Sequence, residues 1–359
     1  MTTDLDCNGI FDPWTGEPRT IDLSKRNTLR LAAASAAAAT LPAWAANDKP
    51  LKVGWIYVGP VGDGGWTFAH DNGRKAVEKK FGDRVQTVFV GTSFGFMNPM
   101  LKVAKDHPNV KFEHCTGYKT AKNLRTYEAR NYEGAYLSGL IAGALSQTGK
   151  MGHVATVPIP EVLRNLNSFA LGARAVNPKA SLQVVWLNEW HNPPKEVEAA
   201  TSLINAGADV LFQNTDSSAV LNTAESRGKH AFGWNAPMSH YGPKAHLGSS
   251  IIDWAPYYTH AVEQALDGSW AVGPNQWWGV KEGAIDLVDV PDSVPADVRE
   301  RMEKAKAGLK DGSFAIWTGP IKDNTGKEVL ADGKVADDDF LKAIQFYVEG
   351  VEGKVPGAK

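Results

Sequence analysis

Short apolar segments alternate with amphipathic ones along most of the chain, and this alternation constrains the fold more than any other feature. The first apolar run, LKVGWIYVG at residues 51–59, has the continuous hydrophobicity of a strand buried on both faces. Residues 65–81 after it have helical character, and this succession of a strand and a helix recurs through residue 266. Strands that alternate with helices predict parallel α/β sheets, and 359 residues are enough for two of them. We therefore expect an α/β fold with two doubly wound parallel-sheet lobes.

Residues 23–45 have the features of an export signal. Arg26 and Arg30 precede an alanine-rich stretch that ends in Ala-Trp-Ala, the small-residue pattern of a cleavage site. The segment SKRNTL is similar to a twin-arginine signal in which Lys25 replaces the first arginine, so the export route stays open. We expect cleavage near Ala45.

The segment before this signal, residues 1–22, is an atypical N-terminal extension. Cys7 within it lacks the small neighbours of a lipid-attachment motif, so no lipid anchor is predicted. After cleavage Cys115 is the one remaining cysteine, which excludes an intramolecular disulfide bond. Together with the signal, these features predict an exported protein without a membrane anchor, located in the periplasm.

The charge balance argues against a nucleic-acid partner. The chain carries 38 basic and 40 acidic residues, so it has no basic excess to neutralise phosphates. Its nine histidines show no HExxH or CxxC spacing, and we predict no metal site and no cofactor. The count of twelve tryptophans is unusual, and such a surplus is common in aromatic ligand sites as well as in cores.

Ligands of open parallel sheets bind beyond the carboxyl ends of the strands, so the residues after each strand are the candidates for a binding site. Here they are rich in tryptophan, phenylalanine, asparagine and aspartate. Aromatic planes together with amide and carboxylate groups suit a flat, hydrogen-bonding heterocycle. The predicted ligand-binding residues are Asp63, Trp66, Thr67, Ser93, Phe94, Tyr118, Asn188, Trp190, Asn214, Asp216, Trp234, Asn235 and Asp253.

Two glycine-rich motifs allow other functions. The GDGGW motif follows a strand, as a dinucleotide loop does, but it lacks the GxGxxG spacing, and Trp66 stands where a pyrophosphate needs bare backbone. GTSFG matches the GxSxG elbow of serine hydrolases, with Ser93 as nucleophile. Asp216, followed by His240 or His260, completes a possible triad. The alternative of a serine hydrolase therefore stays open.

Several short segments, in order, resemble the basic membrane protein family, the purine-receptor type of ABC-transporter substrate-binding proteins. The resemblance extends over about residues 52–354, nearly the whole chain after the export signal, and its tryptophan-rich segments are similar to those of purine-base binders. The segments are DGGWT at 63–67, YEGAYL at 132–137, GKMG at 149–152, GADV at 207–210, QNTDS at 213–217 and YVEGVEG at 347–353.

The resemblance implies a type I periplasmic binding protein, in which two α/β lobes are joined by three crossings and hold the ligand between them. The implied boundaries are 46–117 and 235–280 for the first lobe, 118–234 and 281–359 for the second, and crossings near 115–118, 234–235 and 279–281.

The resemblance also implies the ligand and the partners. Trp66 matches the aromatic residue on which the family stacks the base. Asn235 and Asp253 stand where the family has the acid and the basic residue that hold a nucleoside sugar, so a bare, adenine-like purine base is favoured. The implied partners are the inner-membrane permease and the ATPase of an ABC importer, with a monomeric binding protein. A ligand sensor that serves a membrane receptor is a further alternative.

One departure from the family lies in the first lobe. The family has a helix and a strand between the second strand and the TSFGF segment, roughly the size of a 30-residue crossover unit. Here Val90 is followed directly by Gly91. We therefore expect a shortened first lobe, with residues 85–94 either merged into one strand or disrupted.

Overall fold

The computed structural model of the protein describes residues 49–357, except for the side chains of residues 87–91 and 94. The predicted extension and export signal lie outside the described residues. Within them, strands and helices alternate as the sequence predicts. In chain order the main elements are β1 (Leu51–Ile56), α1 (Trp66–Phe81), β2 (Val85–Gly91), α2 (Met97–Asp106), β3 (Phe112–Cys115), β4 (Leu124–Ala129), α3 (Asn131–Leu145), β5 (Lys150–Ala155), α4 (Pro160–Val176), β6 (Ser181–Trp186), α5 (Pro193–Asn205), β7 (Val210–Gln213), α6 (Ala219–Ser226), β8 (His230–Asn235), β9 (His246–Ile252), α7 (Ala255–Asp267), β10 (Gln276–Trp278), β11 (Ile285–Val288), α8 (Ala296–Asp311), β12 (Ile321–Lys322), β13 (Glu328–Leu330) and α9 (Asp338–Lys342).

Lobe 1 contains two small parallel sheets, β1–β2 and β10–β4–β3. They share one apolar core, in which Trp55 of β1, Val77 of α1, Tyr127 of β4 and Trp254 before α7 are all buried. The shortened connection forms a single strand, Val85–Gly91, after which the chain turns into α2. Among the described strands, none pairs with both β1 and β3, so the sheet of this lobe is divided.

Lobe 2 contains a six-stranded sheet in the order β11-β9-β8-β7-β5-β6, parallel except for the edge strand β11. Its core is aromatic, with Phe169 of α4 stacked on Phe212 of β7 at 4.6 Å and Phe232 of β8 packed against both. Helices α3 and α4 cross at glycines: a Cβ at Gly139 would lie 2.1 Å from the Phe169 carbonyl oxygen. Only glycine permits so close an approach of two backbones.

The chain passes between the lobes three times, and two of the passages differ from the predicted crossings. Strand β4 lies beside β3, so the first passage follows Ala129 rather than residues 115–118. Strand β9 lies beside β8 in the larger sheet, so the second follows Ile252 rather than 234–235. The third follows Trp278. Strand β4 escaped prediction because Arg125 and Glu128 interrupt its apolar pattern, although most of the strand is buried.

The C-terminal part packs on lobe 2. The buried side chains of Trp317, Ile344 and Val348 join the main apolar core of that lobe, and Val351 pairs with Leu182 at the edge of β6. None of the helices in the described part of the chain combines the length and the apolar character that a membrane span requires.

Candidate functional site

A cavity of about 280 Å³ lies between the lobes, where the strands of both end at their carboxyl side. This size lies just below the range of roughly 300–1,000 Å³ that is typical of small-molecule sites. Of the thirteen predicted residues, nine line it: Asp63, Trp66, Thr67, Ser93, Trp190, Asn214, Asp216, Trp234 and Asn235. The lining residues outside the prediction are Val58, Gly59, Pro60, Thr92, Thr116, Asn131, Glu161, Val162, Asn165 and His191.

Trp66 is one of three tryptophans among the described residues that line the cavity, and its position is fixed by several contacts. It opens α1, and the Asp63 carboxylate accepts hydrogen bonds from the backbone N–H groups of residues 65, 67 and 68, which fixes the start of that helix. The indole Nε1 donates to the Thr92 carbonyl oxygen at 2.8 Å. The ring also makes edge contacts with His70 at 4.6 Å and Trp254 at 5.9 Å. Trp66 therefore presents a pre-positioned aromatic surface.

His70 beneath Trp66 is part of a buried aromatic stack. Its ring lies parallel to Trp254 at 4.6 Å, and its Nδ1 is hydrogen-bonded to the Tyr258 hydroxyl. Burial lowers the pKa of His70 well below its usual range, so the imidazole is neutral at physiological pH. A neutral ring packs among aromatic residues without the cost of burying a charge.

Amide side chains provide the polar groups of the cavity. The Oδ1 atoms of Asn131, Asn165 and Asn235 and the Nδ2 of Asn214 are buried and have no hydrogen-bond partner among the described residues. The Thr92 hydroxyl is in the same situation. Since unpartnered buried polar groups are costly, these atoms are the points at which a ligand gains hydrogen bonds.

The orientation of Asn214 is set from outside the cavity. His153 Nε2 lies 2.7 Å from Asn214 Oδ1. Burial lowers the pKa of His153 to about 3, so the ring is neutral and its Nε2–H donates to the amide oxygen. The Asn214 NH₂ group is thereby left facing the cavity as a donor.

Asp216 connects the two lobes. Its Oδ1 accepts hydrogen bonds from the Trp66 backbone N–H in lobe 1, at 3.3 Å, and from Asn235 Nδ2 in lobe 2, at 3.1 Å. Gly65 lies so close that a Cβ on it would be 2.9 Å from the Asp216 Cα. Burial, and then the charge of Asp63, raise the pKa of Asp216 well above its usual range.

A buried glutamate supports the loop that carries Asn214 and Asp216. Glu196 of α5 accepts hydrogen bonds from the hydroxyls of Thr215 and Ser217 and from the backbone N–H of Asn192. The loop after β7 is thus held by side chains that do not touch the cavity.

Three predicted residues lie outside the lining, and each has a local reason. Tyr118 is 65% exposed. Asn188 is exposed and takes a left-handed backbone conformation, with φ of 57°, at the turn after β6. Asp253 is exposed and accepts a hydrogen bond from the Ala255 backbone N–H at the start of α7. The side chain of Phe94 is outside the described part of the structure.

Asn131, Glu161 and Asn165 line the cavity but escaped prediction. Glu161 and Asn165 belong to the first turns of α4, directly after β5, whose carboxyl end was recognisable in the sequence as GHVATV. The rule that found the other residues also applies to this strand end. Asn131 follows β4, which the polar residues in that strand concealed.

The triad expected of a serine hydrolase is not assembled. Ser93 lines the cavity, and its hydroxyl oxygen accepts a hydrogen bond from the Gly95 backbone N–H at 3.3 Å. His240 packs on Tyr241 and His260 on Trp278, and neither lines the cavity. In addition, no group of three or more metal-ligating side chains occurs in the described range. The arrangement is one for binding a flat polar molecule between an aromatic wall and several amides.

A family model described as ABC transporter substrate-binding protein, PnrA-like, matches residues 67–311. A purine-binding protein of Brucella abortus is 42% identical over 86% of this chain and 95% of its own length. A Haloferax volcanii protein, named as a candidate glucose-binding protein of an ABC transporter, is 34% identical over 85% and 81%. An ABC-transporter solute-binding protein of Conexibacter woesei shares the fold, with a TM-score of 0.61 at 22% identity over 74% of this chain and 97% of that one.

These comparisons confirm two predictions from the sequence, the α/β binding-protein fold and the family. They also favour the binding protein over the hydrolase, because the family consists of substrate-binding proteins rather than enzymes. The chain belongs to the PnrA-like family of ABC transporter substrate-binding proteins.

Proposed function

We propose that the chain is a periplasmic substrate-binding protein that delivers a purine base, of the adenine type, to the permease and ATPase of an ABC importer. The observation that carries the proposal is the cavity between the lobes, with Trp66 on its wall and, around it, one unpartnered amide atom each of Asn131, Asn165, Asn214 and Asn235. A purine offers both an aromatic face for stacking and ring nitrogens for these amides. The 42% identical relative, named as purine-binding, supports this ligand class.

The mechanism we propose is closure of the lobes around the ligand. A base that touches both lobes binds the closed arrangement more tightly than the open one and therefore shifts the population towards it. Asp216 already spans the lobes, from Asn235 to the Trp66 backbone. Closure then presents the surface that the permease recognises.

The sequence argument for a base rather than a nucleoside rests on two residues, and only one of them lines the cavity. Asn235 lines the cavity where the family has an acid, but Asp253, which stands at the position of the basic residue, is outside the lining. The cavity volume of about 280 Å³ favours the smaller ligand.

Calorimetric titration of the exported chain tests the proposal. The ligands are adenine, hypoxanthine, guanine, their nucleosides and, because of the Haloferax relative, glucose. We expect a purine base to bind and to raise the midpoint of thermal unfolding, since ligand at about 100 times the Kd stabilises by about 2.7 kcal/mol. A nucleoside that binds at least as tightly as its own base would contradict the base preference, and binding of glucose alone would contradict the purine class.

A further inference from the structure

Among the described residues, Glu161 is the one glutamate that lines the cavity. It lies in the first turn of α4, and Asn165 is one turn further along the same face. Both side chains reach the cavity from lobe 2, whereas Trp66 reaches it from lobe 1. A ligand stacked on Trp66 therefore shares one cavity with the side chains of Glu161 and Asn165.

Glu161 is half-buried, and its carboxyl differs in its partners from three other glutamates that are buried or half-buried. Glu128 pairs with Arg164, Glu133 accepts a hydrogen bond from the Val280 backbone N–H, and Glu196 accepts bonds from two hydroxyls. No described residue forms a hydrogen bond with Glu161; its neighbours act on it only through charge. Its hydrogen-bonding capacity is thus directed to whatever the cavity contains.

We propose that the Glu161 carboxyl distinguishes purine bases by the hydrogen-bonding pattern of one ring edge. The proposal deepens the function inferred above and rests on it. In this proposal, the Glu161 carboxyl determines which base is preferred. Trp66 and the asparagine amides provide the affinity that is common to all purine bases.

The charges around Glu161 keep both of its protonation states accessible. Burial, followed by the negative charge of Glu128, raises the pKa of Glu161 to about 7. Arg164 opposes this, but its guanidinium is already paired with Glu128. The buried Cys115 thiol also lies within the field of Glu161, and the titratable groups that line the same cavity are Asp63, Asp216 and His191.

Each protonation state of a carboxyl group matches a different purine edge. A protonated carboxyl has one donor beside one acceptor. Adenine, with N1 and the 6-amino group, and hypoxanthine, with N1–H and O6, present the complementary pair. An ionised carboxylate has two acceptors, which match the adjacent N1–H and 2-amino group of guanine. Low pH therefore favours adenine and hypoxanthine, and high pH favours guanine.

The test is calorimetry with adenine and with guanine at about pH 5.5 and about pH 8.5, on either side of the Glu161 pKa. In the unmodified chain we expect adenine affinity to fall about tenfold as the pH rises, and guanine affinity to rise about tenfold, since one hydrogen bond to a charged group is at stake. Glu161→Gln keeps one donor and one acceptor at every pH. It is expected to bind adenine equally at both pH values and to lose the gain for guanine at high pH. Glu198→Gln, on the exposed face of α5, is the matched control and should behave as the unmodified chain does.

Two results would overturn the role of Glu161: purine binding without opposite pH trends for the two bases, or trends that persist in Glu161→Gln. The first needs no variant, so the proposal stays testable even where the substitution impairs folding. A chain that binds neither base at either pH overturns the proposed function, and this proposal with it.

Discussion

At the scale of single residues, the cavity is lined by side chains whose orientation is fixed by partners behind them. The Thr92 carbonyl holds the Trp66 indole, His153 holds the Asn214 amide, and Asp216 holds the Asn235 amide. The bonds to Asn214 and Asn235 each occupy one polar atom of the amide and leave the other without a partner, whereas the bond to Trp66 fixes the position of its ring. Such pre-positioning reduces the entropy lost on binding and favours a ligand of defined shape.

Replacement of Trp66 by alanine is expected to weaken purine binding about tenfold or more, because stacking of a base on an aromatic ring contributes about 1–3 kcal/mol. Trp66→Phe keeps an aromatic face and should lose less. Trp270→Ala, which removes an indole outside the cavity lining, is the control. Calorimetry, with circular dichroism to verify the fold, measures the effect, and equal affinities for Trp66→Ala and the unmodified chain would remove Trp66 from the site.

Ser93 is expected to take no covalent part in any reaction. Its hydroxyl oxygen already accepts the Gly95 N–H, and neither histidine of the predicted triad lines the cavity. Neither the unmodified chain nor Ser93→Ala should hydrolyse an activated short-chain ester. Turnover that is present in the unmodified chain and absent from the variant would restore the hydrolase alternative.

At the scale of elements, the turn between β1 and α1 sets how closely the lobes approach. Gly65 lies at this turn, directly before α1, and a Cβ there would meet the Asp216 backbone at 2.9 Å. At the same turn, a Cβ on Gly62 would have no heavy atom within 4 Å. A comparison of alanine substitutions at Gly65 and Gly62 therefore distinguishes an effect on lobe closure from a general effect of an added methyl group.

Gly65→Ala is expected to weaken ligand binding about tenfold or more, because the methyl group disfavours the closed arrangement that the ligand selects. Gly62→Ala should leave the affinity unchanged within about threefold. Titration calorimetry measures the affinities, and small-angle scattering with saturating ligand should show a larger radius of gyration for Gly65→Ala alone. Identical affinities for the two variants would contradict the role of this contact in closure.

The elements also show how far the sequence predicts the structure. Helix α1 begins one residue after its predicted start and ends at the predicted residue, because Gly65 and Gly82 mark its two ends. The rule of strand ends found nine of the nineteen residues that line the cavity among the described residues. It failed at β4, where Arg125 and Glu128 find ion-pair partners in the fold that the sequence does not reveal. Pairing partners of strands are long-range contacts, and the first two lobe boundaries were therefore misplaced.

At the scale of the whole molecule, the passages between the lobes are tied to one another. Trp277, before the third passage, lies between the guanidinium groups of Arg130 and Arg164, at 4.4 and 4.5 Å from its ring centre. Arg130 belongs to the first passage. Glu133, in the first turn of α3, accepts a hydrogen bond from the Val280 backbone N–H in the third passage, at 2.7 Å. These contacts tie two of the three connections between the lobes to each other.

The protonation state of Glu133 is expected to make the stability of this hinge depend on pH. Burial raises the pKa of Glu133 to about 7, above the value of 4.5 of an ordinary glutamate. The folded protein therefore holds the proton more tightly than the unfolded chain does, and stability decreases as the pH rises from about 4.5 through about 7. Glu133→Gln removes this loss while it keeps an acceptor for Val280.

The free energy of unfolding of Glu133→Gln, taken relative to that of the unmodified chain, should accordingly be about 1–3 kcal/mol higher at about pH 8 than at about pH 5. Urea denaturation at the two pH values measures it. Glu300→Gln, an exposed position on α8, is the control and should show no such change with pH. The comparison of variants at each pH cancels the contributions of other groups, such as His153, whose lowered pKa acts in the opposite direction. A difference that is equal at both pH values would mean that Glu133 is ionised in the folded protein throughout this range, and would contradict the prediction.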